Sequence, residues 1–276
     1  MIDLHAHTRA SDGQYPADEL VLRAREAGIT VLGVTDHDTV AGLPSALEAG
    51  ERAGVRVVPG IELSSFVHGR EAHILGHFID PGDERLRGLS RLLRTQREER
   101  MARMVEKVRE LGMQATFEEV VAESGGKNLG RPHLARVLVK HGYVRDVKEA
   151  FARYIARDKP AYVERYKLTS QEAIEMIGRA GGCATLAHAF ASNLSREDIV
   201  LLKEQGLVGL EVVHPDHSPD DRAEAGRLAA ELDLVPTAGS DFHGELIVPE
   251  RRLGMATMEE RDLERLEARA RAVRVG

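Results

Sequence analysis

Residues able to bind a metal recur at the ends of short apolar runs, and those runs alternate with helical spacing. The first run, Ile2-Asp3-Leu4, leads straight into His5-Ala6-His7. In an extended strand, residues i and i+2 project from one face, so His5 and His7 can present two imidazoles to one point. Asp12, in a Ser-Asp-Gly turn, can fold a carboxylate back over that point. The run Thr30-Val31-Leu32-Gly33-Val34 ends in Asp36-His37-Asp38, and the run from Val55 to Ile61 ends in Glu62. Helical spacing fills the intervals: residues 17–27, stopped by Gly28, and residues 43–53, closed by Gly54. Strand–helix–strand units of this length imply a parallel sheet, open or closed into a barrel. Ligand sites in such sheets gather at the carboxyl ends of the strands. A single His-x-His is as easily a pair of solvated histidines, but the coincidence at three successive strand ends weighs against that reading.

A fourth strand is expected over residues 71–78, with His73 and His77 at even spacing. His73 is the better ligand candidate, returned to the site by an antiparallel neighbour, and His77 is expected to pack or cap. His68, in a Val-His-Gly-Arg turn, is read as solvated. Strand signal then fades. Residues 90–111 form a long helix with arginines at 91, 94, 97, 100 and 103, partly explained by i,i+4 pairing with glutamates. Short helices are expected at 117–122, 133–141 and 147–156. Two stretches in or beside this block offer cations: Gly130-Arg131-Pro132-His133 at a helix start, where anions are favoured, and Lys159 on a Pro turn. Ordinary turns or caps explain each equally well. The alternation resumes after Tyr166. Thr169 with Glu172 reads as a capping box, and further strands end in His188, in His214 and in Gly239-Ser240-Asp241-Phe242-His243. The expected organisation is therefore an α/β domain from residues 1–82 and 158–276, with a small helical insert, 83–157, covering the site.

The 276 residues carry a net charge of −7 and 4% aromatic residues, without Trp. No basic field draws in polyanions, and stacking platforms for single strands are not evident. The single cysteine, Cys183, excludes an intramolecular disulfide and a Cys-based zinc cluster. With no secretory leader and no long apolar run, a cytoplasmic protein with no membrane partner is expected.

The candidate ligands are His5, His7, Asp12, His37, Glu62, His73, His188, Asp241 and His243. Nine nitrogen and oxygen ligands are too many for one tetrahedral zinc. They suit two or three divalent ions, with Glu62 as the shared carboxylate. Imidazole and carboxylate without thiolate fit manganese, zinc or iron. Such a cluster activates water and clamps both oxygens of a displacement at phosphorus, so no side-chain nucleophile is required. His214 is a candidate proton donor to the leaving group, and Asp36 and Asp38 are expected to orient ligand imidazoles.

Asp3-x-His5-x-His7, Thr35-Asp36-His37-Asp38, Gly60-Ile61-Glu62, His188 and Gly239-Ser240-Asp241-x-His243 together resemble the motifs of the polymerase and histidinol phosphatase (PHP) superfamily. The resemblance implies a distorted (β/α)7 barrel with a trinuclear centre, manganese foremost. It would place one ion on His5, His7, Glu62 and Asp241, a second on Asp12, His37 and His243, and a third on Glu62, His73 and His188. Many members carry histidine at the Asp12 position; either side chain binds these ions. The helical insert is similar to that of the branch containing nucleoside 3′,5′-bisphosphate phosphatases and 5′–3′ exoribonucleases. By that resemblance Arg97, Arg100, Arg131, His133 and Lys159 would hold the phosphate that is not cleaved. The implied substrate is a small phosphorylated nucleotide or a short RNA 5′ end, not long duplex nucleic acid. Histidinol-phosphate or AMP phosphatase activity, and a non-catalytic metal-binding regulatory module, are the alternatives.

Overall fold

The structure, a computed structural model, describes residues 1–125 and 129–275. In chain order its elements are β1 (Ile2–Asp3), α1 (Ala17–Glu26), β2 (Val31–Val34), α2 (Leu43–Ala53), β3 (Arg56–Val67), β4 (Arg70–His77) and α3 (Glu84–Glu110). Then come α4 (Phe117–Ser124), α5 (Arg131–Lys140), α6 (Val147–Ala150), β5 (Leu168–Thr169), α7 (Ser170–Arg179) and β6 (Cys183–Leu186). The chain finishes through α8 (Arg196–Glu204), β7 (Gly209–Val213), α9 (Pro219–Glu231), β8 (Val235–Ala238) and α10 (Glu260–Val275).

Seven strands follow one another as β1-β2-β3-β4-β6-β7-β8, with β5 paired to β3 off this path. Leu4 N–H donates to Ala238 O at 3.1 Å and His7 N–H to Phe242 O at 2.9 Å, so the first and last strands meet and the sheet nearly closes into a barrel. All four residues of β2 are buried, as are all four of β6. A parallel strand covered on both faces reads as a continuous apolar run, which is why Val-Leu-Gly-Val shows no alternation.

One strand runs against the others, as the return of His73 to the site requires. β4 runs antiparallel to both β3 and β6. The cause is local: Val67 pairs with Arg70 across a two-residue turn, and His68 and Gly69 have φ of 45° and 78°. Two positive φ values make the tight hairpin turn that joins antiparallel strands. His68 is not simply solvated, because its Nδ1 lies 2.9 Å from Asp198 at the start of α8.

Chain contacts divide the protein into two compact units, Met1–Ser90 with Lys167–Gly276, and Arg91–Tyr166. The barrel unit buries Leu4, Leu32, Ile61, Leu63, Ile74 and Phe242 completely or nearly so. The helical unit has its own core, including Met104, Val108, Leu134, Leu138 and Ile155. The long helix α3 starts at Glu84, earlier than the arginine stripe suggests, and the segment after α6 widens into a π-helical turn over Phe151–Ile155. Capping boxes fix the starts of α4, α7, α8 and α9. Among the described residues no helix is long and apolar enough to cross a membrane.

Candidate metal centre

His5 and His7 leave β1 on an extended segment whose middle residue, Ala6, bridges Phe242 beyond β8. His5 Nε2 lies 3.2 Å from Glu62 Oε2 and 3.3 Å from Asp241 Oδ1. His7 Nε2 lies 3.2 Å and 3.0 Å from the same two oxygens. All four side chains are buried. Gly239 makes this approach possible: a Cβ there would collide with His5 Cβ.

Neighbouring ligand atoms around a six-coordinate ion, with bonds of about 2.1 Å, sit about 3.0 Å apart. The spacing here is of that size. His7 is also buried with neither ring nitrogen hydrogen-bonded, despite a carboxylate oxygen at 3.0 Å. The ring and the carboxylates converge on shared space instead of pointing at one another. A buried polar group without a hydrogen bond costs about 1–3 kcal/mol, and a cation accepting these lone pairs removes that cost. The donor set therefore fits a divalent ion.

Two further groups adjoin the first. His7, Asp12, His37 and His243 form one, with His243 Nε2 3.3 Å from Asp12 Oδ1 and the His7 and His243 rings stacked at 4.0 Å. Asp12 is the loosest member, half-exposed and 3.9 Å from His37 Nε2. The other centres on Glu62. Its Oε1 lies 2.7 Å from His73 Nδ1 and 3.2 Å from His188 Nε2, while Oε2 faces His5, His7 and, at 3.2 Å, His37 Nδ1. A carboxylate whose two oxygens face different imidazole sets has the geometry required to bridge two ions. All nine ligand candidates thus come together at one end of the barrel unit.

Charge is distributed accordingly. Burial alone would raise the Glu62 and Asp241 carboxyls, yet His37, His5 and His73 around Glu62, and His5, His214 and His7 around Asp241, hold both well below the carboxylate range. Burial pulls His7 and His73 down, but Asp241 and Glu62 push His7 up to about 10, and Glu62 with Glu71 does the same for His73. His37 departs from this pattern, since burial lowers it to about 4 despite Glu62 and Asp12 beside it.

For Asp36 the hydrogen bonds differ from the sequence expectation. Asp36 does not orient an imidazole through its hydrogen bonds. It accepts from Thr8 N–H and Thr8 O–H, both at 2.7 Å, and from Ser11 O–H at 2.6 Å, and so fixes the turn that carries Asp12. Asp38 accepts from Ser64 N–H at 3.0 Å. A carboxylate that does face a ligand ring is Glu211 on β7, which the sequence reading passed over. Its Oε1 is 3.1 Å from His5 Nδ1, and its Oε2 accepts from His188 N–H at 2.9 Å. A bulge in β7 between Glu211 and Val213 accompanies this inward placement. A lone glutamate in the run Gly-Leu-Glu-Val-Val was the available signal, the same one that marked Glu62. His73 is held from outside by Glu71 at 2.9 Å. His77 packs, with Nε2 donating to Leu4 O at 3.1 Å, and burial lowers it to about 4. His214 is buried; its Nδ1 accepts from Asp216 N–H at 3.1 Å, which places the ring proton on Nε2, 3.4 Å from Asp241 Oδ2.

Within the helical unit, Arg100 donates from Nε to Val163 O at 2.7 Å, and its guanidinium lies over the Tyr162 ring. Burial lowers it to about 10, with Arg131, Arg165 and Arg97 adding repulsion. These four arginines form one cationic cluster, in which Arg165 was not anticipated. His133 uses Nδ1 to accept from Gly130 N–H at 3.0 Å, as a helix cap. Lys159 is exposed on its turn.

The chain is similar to known proteins over most of its length. A family model described as the PHP domain matches residues 3–164. A 5′-3′ exoribonuclease of Haemophilus influenzae is 36% identical over 87% of this chain and 89% of its own. A 3′,5′-nucleoside bisphosphate phosphatase of Chromobacterium violaceum is 33% identical over 88% of this chain and 87% of its own. A structure from Bifidobacterium adolescentis, assigned as a metal-dependent phosphoesterase, superposes with a TM-score of 0.84 at 31% identity, covering 97% of this chain and 95% of that one.

Proposed function

We propose, from the premise that the chain belongs to the PHP family and is a metal-dependent phosphoesterase, that it hydrolyses the 3′-phosphate of nucleoside 3′,5′-bisphosphates. The observation that carries the reading is Glu62, with one oxygen towards His5, His7 and His37 and the other towards His73 and His188. That arrangement supports two or three divalent ions; imidazole and carboxylate without thiolate suit manganese, zinc or iron, and manganese is the first candidate by resemblance to the family. Ions held there would supply an activated water and neutralise the phosphate as the ribose oxygen leaves. His5, His7, Asp12, His37, Glu62, His73, His188, Asp241 and His243 would hold them. His214, with its proton on Nε2, is the candidate donor to the departing ribose oxygen.

A bisphosphate needs a second anion site besides the metal centre. The cluster of Arg97, Arg100, Arg131 and Arg165 supports one in the helical unit, since guanidinium binds phosphate with two parallel hydrogen bonds. A second reading, trimming of short RNA from its 5′ end, has support from the relative of H. influenzae, which carries that name at similar identity. The purified protein with manganese should be assayed on 3′-phosphoadenosine 5′-phosphate, AMP, histidinol phosphate and short 5′-phosphorylated RNA. The highest kcat/KM is expected on the bisphosphate. Preference for histidinol phosphate would overturn the proposal, and preference for RNA would favour the second reading.

A further inference from the structure

Asp241 has a divided carboxylate. Its Oδ1 faces His5 Nε2 at 3.3 Å, His7 Nε2 at 3.0 Å and His243 Nδ1 at 3.4 Å. Its Oδ2 faces His214 and the guanidinium of Arg251. Arg251 Nη1 donates both to this Oδ2 and to the backbone carbonyl of Asp241, the latter at 2.9 Å. Arg251 Nη2 pairs with Asp216 Oδ2 at 2.5 Å. Arg251 is mostly buried, at 13% exposure, whereas Asp216 is half-exposed. Asp241 also sits at a φ of 48°, a left-handed conformation that costs a non-glycine residue free energy unless its surroundings enforce it.

We propose that Arg251 is a positioning residue that fixes Asp241 as a one-oxygen ligand, reserving Oδ1 for the ion shared with His5, His7 and Glu62. A free carboxylate can rotate and bind through both oxygens. Here the guanidinium holds the main chain and the outer oxygen of the same residue together, so rotation would break a charge-assisted bond. Asp216 anchors the far side of the fork and, through its N–H, sets the tautomer of His214. One arginine therefore ties the loop after β7 to the metal ligand beyond β8.

The inference rests on the metal-centre reading, and the experiment separates the two. Manganese binding to apo-protein is measured by calorimetry for wild type, Arg251→Gln, Arg251→Lys, Asp241→Asn and the double variant Arg251→Gln/Asp241→Asn. Circular dichroism and the unfolding midpoint of each apo-protein serve as the folding control. Loss of an outer partner of a ligand typically costs about 10–100-fold in metal affinity, which is the fall expected for Arg251→Gln. Arg251→Lys should recover little, because an ammonium cannot reproduce the fork. The double variant should lose no more than Asp241→Asn alone, since Arg251 acts through Asp241. Additive losses, full recovery with lysine, or a change under about threefold in Arg251→Gln would each overturn the inference. If Arg251→Gln does not fold, Asp216→Asn is read instead: a smaller loss in the same direction is expected, and wild-type affinity overturns the inference. Wild-type protein that binds no divalent ion would instead end the metal-centre reading.

Discussion

Replacing Glu211 with glutamine keeps the side chain's shape and removes its charge. Both oxygens are engaged: one faces His5 Nδ1 at 3.1 Å, and the other accepts the N–H of His188 at 2.9 Å. Glutamine offers one acceptor and one donor, so one of these two contacts must fail. If His5 loses its acceptor, its ring is no longer fixed with Nε2 towards Glu62 and Asp241. If the contact to His188 N–H fails, the strand end carrying that ligand loosens. Loss of such an orienting carboxylate costs about 10–100-fold in metal affinity, or roughly 1.4–2.7 kcal/mol. Burial would raise the Glu211 carboxyl, but His5 and His214 hold it down at about 2, so wild type presents the charged form throughout the working pH range. The assay is manganese titration of the apo-protein in competition with a chelator of known affinity, followed by kcat/KM at saturating metal. Saturating metal should restore much of the activity, because the ligands themselves remain. Affinity within about threefold of wild type would refute the reasoning that Glu211 orients His5.

Asp198, buried at the start of α8, accepts from Ser195 N–H at 2.8 Å and pairs with Arg70 at 2.6 Å and His68 at 2.9 Å; Asp198→Ala should cost about 1–3 kcal/mol in denaturant unfolding. Burial would raise its carboxyl, but these partners lower it, so its contribution is present above the unfolded pKa of about 4 and is lost as pH falls through the folded value. Chelation should lower the unfolding midpoint, since metal at about 100 times its Kd stabilises by about 2.7 kcal/mol; an unchanged midpoint would count against tight binding to the folded state. Arg100→Ala should raise KM for a bisphosphate more than for AMP, and equal effects on both would remove the arginine cluster from recognition of the second phosphate.

Strand ends were the most legible part of this sequence, because a polar residue closing a buried run has few reasons to be there. His5, His7, His37, His188 and Asp241 all announced themselves in that way, whereas Glu62, expected to close its run, lies inside β3. Glu211, like Glu62, lies inside its strand, two residues before β7 ends, where no strand end marks it as a metal-centre residue. Arg251 gave no signal, since it lies in an irregular segment thirty-eight residues from β7's end and meets Asp241 and Asp216 through tertiary contact alone. The antiparallel β4 was partly readable: Val-His-Gly-Arg is a hairpin turn once both φ values are positive, but a histidine at the first turn position is a weak cue beside Asn or Asp. His133 is the ambiguous case. Its place at a helix start fits both an anion ligand and a cap, and its Nδ1 accepts the N–H of Gly130 as a cap. Short-range rules could not separate those outcomes, because both use the same exposed N–H groups.

The claim that bears everything else is that these imidazoles and carboxylates share several cations. The direct test is the metal content of the purified chain after incubation with manganese and removal of excess, measured by elemental analysis against protein concentration. Two or three ions per chain are expected, falling when Glu62 is replaced by glutamine. Fewer than one ion per wild-type chain would contradict the account.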